Sequence, residues 1–75
     1  MTLHDYSVRI MDLRDEAIRT QRIINRLEDI LILAPEKFTP EMSVLLADYK
    51  TDLATILDEK ARTEKVRALI LIKGV

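Results

Sequence analysis

The sequence predicts an all-α fold, an antiparallel two-helix hairpin with helices at about 2–33 and 40–73. Three observations lead there. Apolar residues recur at alternating steps of three and four along both halves of the chain. Helix breakers are almost absent, with one Gly and two Pro in 75 residues. The apolar fraction is aliphatic, with eleven Leu and nine Ile against two Tyr, one Phe and no Trp. A chain of this length forms one domain, residues 1–75.

The first helix is marked by Leu3, Tyr6, Ile10, Leu13, Ala17, Thr20, Ile24, Leu27 and Leu31, a heptad seam with no Gly or Pro inside it. Thr2 fits the N-cap and Asp5 the N3 position of a short capping box. Met1 and Tyr6 then occupy the positions of a hydrophobic staple. Pro35 drives Ala34 out of the α region and ends the helix near Leu33. The second helix starts at Thr39-Pro40-Glu41, with Thr as N-cap, Pro at N1 and an acid facing the positive helix end. It is expected to run to about Lys73, with Gly74 at C′ and Val75 packed back on Ile70, a cap that suits a natural terminus.

Helices of this length extend roughly 45–50 Å at 1.5 Å per residue. In an antiparallel hairpin, residues whose numbers sum to about 74 lie opposite each other. Ala17 and Thr20 are thereby expected to face Ala54 and Leu57. The second seam, Met42, Leu46, Tyr49, Leu53 and Leu57, then meets a fault, because residues 58–65 contain only Ala61 as an apolar side chain. Either the register slips to an 11-residue spacing (Leu46, Leu57, Ala68), or Lys60, Thr63 and Arg67 enter the seam. Beyond the fault, residues 66–72 are apolar on nearly every face, which calls for cover on all sides.

Composition excludes several classes of function. High aliphatic content excludes a disordered tail, and the absence of Cys excludes a disulfide scaffold or a thiolate zinc module. With 12 basic and 13 acidic residues there is no net positive field to attract a nucleic acid. The longest apolar runs, residues 30–34 and 68–72, fall far short of the about 20 residues a membrane span requires. No basic segment precedes an apolar run at the N-terminus, so no signal peptide is expected and the protein is read as cytoplasmic, without membrane association.

No residue set suits an enzyme or a cofactor. The pairs Asp15-Glu16, Glu28-Asp29 and Asp58-Glu59 are adjacent on helices and diverge by about 100°. His4 is the only His, and Glu-x-x-His spacing is absent, so no metal is expected. Asp12-Leu13-Arg14-Asp15-Glu16 resembles the opening of helical chorismate mutases. Ala17, Ile18 and Gln21 stand where that pattern needs Ile, Asp and Asp, and a third helix is missing, so the enzyme reading is discarded.

Flanking apolar residues exceed what one inter-helix interface can cover. Ile23 and Ile30 widen the first seam on one side, and Met11, Ile18 and Ile32 on the other. Val44, Leu45 and Ile56 do the same for the second. Each aliphatic side chain left wet forgoes about 1.5–3 kcal/mol of burial. Self-association into a four-helix bundle or larger oligomer is therefore expected, with Ile10, Leu13, Ile24, Leu27, Leu31, Leu46, Leu53 and Leu57 as the assembly residues. A larger protein partner covering the same face is the competing expectation. The predicted function is that of a small protein-binding adaptor, chaperone or inhibitor, of the kind phages and secretion operons encode.

All five basic residues of the first helix are Arg, and Arg19, Arg22 and Arg26 share its outer face with Arg14 nearby. A solvated face is the first reading, with Asp15–Arg19 and Asp29–Arg26 as partners. The alternative is a binder of a small anion such as a nucleotide, held between subunits by Arg14, Arg19, Lys60 or Arg62, with Arg22 and Arg26 as further candidates to grip an anion or an acidic partner. Asp58–Arg62 and Lys60–Glu64 are expected as i,i+4 pairs. Phe38, between the two prolines, is expected to fold back over the end of the bundle. Finally, Thr39-Pro40 with Leu45-Leu46-Ala47-Asp48-Tyr49 resembles the stretch after the turn in type III secretion needle subunits, which are small helical hairpins that polymerise. The resemblance spans about ten residues and implies a filament subunit as a further alternative.

Overall fold

The computed structural model describes residues 2–73 and consists of two long helices joined by a short turn. Helix α1 spans Leu3–Leu33 and helix α2 spans Pro40–Lys73, with a single 3-10 turn, Pro35–Lys37, between them. They pack side by side as an antiparallel hairpin, a rod of 58 × 16 × 14 Å. Among the described residues there is no strand.

Both helix starts follow from their caps. The Thr2 N–H donates to Asp5 Oδ2 (2.9 Å) and the Asp5 N–H donates to Thr2 Oγ1 (3.2 Å), a complete capping box. The backbone bond from Thr2, then the side-chain one, holds the Asp5 carboxyl below its ordinary value. A depressed folded-state pKa means that the cap stabilises the helix above the unfolded aspartate value and is lost as pH falls through the lowered folded value. An NMR titration is expected to place Asp5 below an ordinary aspartate, and the substitution Thr2→Ala to move it back up. At α2 the Thr39 hydroxyl accepts from the Met42 N–H (3.2 Å), as an N-cap before Pro40 should.

The turn is set by Pro35. Ala34 leaves the helix at φ −142°, ψ 63°, while its N–H still donates to the Ile30 carbonyl (2.9 Å). Lys37 and Phe38 then close the 3-10 turn by donating to the Ala34 and Pro35 carbonyls. Phe38 is half-buried. The proposed staple at Met1 and the cap at Gly74 and Val75 lie outside the described residues.

The centre of the hairpin is Leu13 (1 % exposed), Ala17 and Ile56, with Leu53 packed against them. Ile24 (2 % exposed) and Leu46 are the other buried apolar residues. Ala17 thus packs with Ile56 and Leu53, whereas Ala54 and Leu57, expected opposite Thr20 and Ala17, are exposed, Leu57 bordering Ala17 at the surface. The reason is the period of α2. Its buried and half-buried residues are Met42, Leu46, Tyr49, Leu53, Ile56, Lys60, Thr63, Arg67 and Ile70, with Glu59 at the edge. That is an unbroken heptad, so no slip to the 11-residue spacing occurs. Two helices in continuous contact share one period, and the heptad of α1 imposes its own on α2. The seam position after Leu53 is therefore Ile56, and charged residues enter the seam beyond it.

Those seam residues are held by polar contacts. Arg67 Nε donates to Ser7 Oγ (2.9 Å), a pair whose numbers sum to 74 as the hairpin geometry requires. Ser7 Oγ also donates to the Leu3 carbonyl (3.0 Å), and Thr63 Oγ1 to the Glu59 carbonyl (2.8 Å). Arg9 forms an ion pair with Glu59 across the helices, which raises the pKa of the guanidinium further. Of the apolar residues at 66–72, Ile70 is half-buried, while Val66, Ala68, Leu69, Leu71 and Ile72 remain exposed.

Candidate functional site: an open groove along one face

A hairpin has two lateral faces where its helices meet, and here they differ in chemistry. On one face, two adjoining depressions of about 300 and 350 Å³ share Gln21, Leu53 and Leu57. Arg14, Ile18 and Lys60 extend the first; Glu28, Lys50 and Ala54 extend the second. Together they form one shallow, largely apolar groove along the middle of the rod. The opposite face has a depression at Tyr6, Glu59, Arg62 and Val66, bordered by the Arg9–Glu59 ion pair.

The residues expected to drive assembly divide between the interior and the surface. Leu13, Ile24 and Leu46 are buried between the helices of one hairpin. Ile10, Leu27 and Leu53 are half-buried there and keep part of their surface, Leu53 in the groove. Leu31 (43 % exposed) and Leu57 (48 % exposed) are open. Leu57 projects into the groove because it sits one residue, about 100°, past Ile56 in the seam.

The basic residues also divide. Arg14 and Lys60 line the same groove, Arg14 near Asp15 (4.0 Å) and Lys60 in an ion pair with Glu64. Arg62, two positions after Lys60, faces the other side and pairs with Asp58 (3.1 Å). Arg19, Arg22 and Arg26 are exposed on the back of α1 and form no ion pair among the described residues; the pairs expected with Asp15 and Asp29 are not made. The two i,i+4 pairs of residues 58–64 are both present. Among the described residues no group of three His, Cys, Asp or Glu side chains could hold a metal, and His4 is exposed in the first turn of α1. Among the described residues no helix is long and apolar enough to cross a membrane.

One signal escaped the sequence reading. Four of the six alanines, Ala47, Ala54, Ala61 and Ala68, recur every seven residues, and all four are exposed. Interleaved with Lys50, Leu57, Glu64 and Leu71, they give α2 a second heptad seam that α1 does not cover. Counting periodicity for every residue type, not only for the large aliphatics, finds it. Compared with known proteins, the chain matches no family model, no curated protein and no solved structure.

Proposed function

We propose that this hairpin is a non-enzymatic, self-associating module that works by binding protein, as a small cytoplasmic adaptor, chaperone or inhibitor of phage or secretion-operon type. One observation carries the reading: among the described residues five apolar side chains are buried, while fifteen large ones, from Leu3 to Ile72, are exposed. Soluble monomers seldom expose apolar surface on that scale without a partner for it. A second copy supplies cover in a four-helix bundle, and a further protein covers what remains. Sedimentation equilibrium across the micromolar range is expected to show a dimer or a larger assembly. A monomer throughout that range overturns the self-association.

A second reading has its own observation. Arg14 and Lys60 line one groove, an arrangement that suits a small anion such as a nucleotide. A thermal shift with nucleoside phosphates that disappears in Arg14→Ala supports that function in place of protein binding. Electron microscopy of concentrated protein tests the filament alternative directly.

A further inference from the structure

We infer that the second copy docks on the groove face through α2, with the two α2 helices antiparallel about a two-fold axis. This rests on the self-association proposed above and specifies its face and direction. The choice of face follows from charge and from the exposed seam of α2. The opposite face carries the Arg9–Glu59 ion pair and Arg62, and the back of α1 carries Arg19, Arg22 and Arg26. Burying such charges against an identical surface costs more than it returns. The groove face is charged too, with Arg14, Glu28, Lys50 and Lys60, but it alone carries the exposed alanine seam of α2, beside Ile18, Leu53 and Leu57 and with Met11 exposed one heptad before Ile18.

Direction follows from charge and size. The exposed seam of α2 has two rows, one of Ala at 47, 54, 61 and 68, the other of Lys50, Leu57, Glu64 and Leu71. In an in-register parallel dimer each residue meets its own copy, so Lys50 faces Lys50, Glu64 faces Glu64, and the alanines leave gaps. In the antiparallel register that sets Leu57 opposite the second copy's Ala61, every alanine faces a long side chain. Leu71 then lies against Ala47, Lys50 against Ala68 and Glu64 against Ala54. Lys50 and the second copy's Glu64 are four residues apart along the axis, about 6 Å at 1.5 Å per residue, within reach of an ion pair. The two-fold makes that pair twice and keeps each Lys50 and each Glu64 far from its own copy. Glu64 already meets Lys60 of its own chain, and a carboxylate has acceptor sites for both.

The test uses charge reversal read by sedimentation equilibrium. Lys50 and Glu64 are exposed, so the helicity of both variants stays at the wild-type level by circular dichroism. Lys50→Glu and Glu64→Lys are each expected to raise the dimer dissociation constant roughly tenfold, as two attractive pairs become repulsive. Mixing the two variants is expected to bring the affinity back toward the wild-type value, because both inter-chain pairs in the heterodimer are again complementary. Since the chain has no Cys, L57C mixed with A61C gives a second readout and is expected to cross-link on mild oxidation, while R62C cross-links to neither. A wild-type dimer that ignores both charge reversals, or whose variants do not recover on mixing, overturns the antiparallel docking and leaves self-association standing. A monomeric wild type overturns both.

Discussion

Leu13→Ala is expected to lower the unfolding free energy by about 3 kcal/mol, within the range of roughly 2–5 kcal/mol for truncating a buried leucine. Leu13 is 1 % exposed at the centre of the hairpin, where Ala17 and Ile56 enclose it. The neighbouring seam side chains belong to two helices packed along their length, so the surroundings relax only partly into the space left. The loss is a large part of the stability of a small domain. Val44→Ala is the control: Val44 is exposed on the back of α2, and its truncation should stay within about 0.5 kcal/mol. Urea unfolding followed by circular dichroism, with all variants at one protein concentration, measures both. A fixed concentration is needed because assembly adds to the apparent stability by mass action. Similar losses for Leu13 and Val44 would mean that the two helices do not pack through this seam.

Filling the polar half of the seam is expected to act in the opposite direction. The triple substitution Lys60→Leu, Thr63→Leu and Arg67→Leu should stabilise the hairpin by roughly 1–4 kcal/mol, the range over which replacing interior charged groups by apolar ones raises stability. The Lys60 side chain is only 27 % exposed, and Thr63 and Arg67 are half-buried, so leucine at these positions enters the interface between the helices. Little hydrogen bonding is forfeited. Ser7 loses Arg67 but keeps its bond to the Leu3 carbonyl, and Glu64, freed from Lys60, is exposed to water. The denaturation midpoint of the triple variant is the measurement. Its failure to rise would show that Lys60 and Arg67 contribute attraction that outweighs the cost of their partial burial.

The same seam separates what the sequence made legible from what it did not. The helix ends were legible because each is fixed by local chemistry: the Thr2–Asp5 box, the Pro35 stop and the Thr39-Pro40 start. In α1 the seam was legible down to Leu27, since its apolar side chains follow one period without a break. In α2 it failed at one step. Leu57 and Ile56 are adjacent and equally apolar, so composition favours neither, and the polar run after them removes the next reference point. The site was partly legible for the same reason. Arg14 and Lys60 were both named from their residue types, yet that they share a groove, and that Arg62 faces away from it, depends on the register across the two helices.

The sequence by itself determined the all-α hairpin, its helix boundaries and its surplus of aliphatic surface, because caps, prolines and periodicity act within a few residues. Only the tertiary structure decided that the heptad of α2 continues through Lys60, Thr63 and Arg67. The physical reason is that α2 takes its period from the helix beside it, and a helix's own side chains cannot disclose that constraint. The same decision turned Leu57 outward and left the alanine seam uncovered. It therefore set the face on which a second copy is proposed to dock.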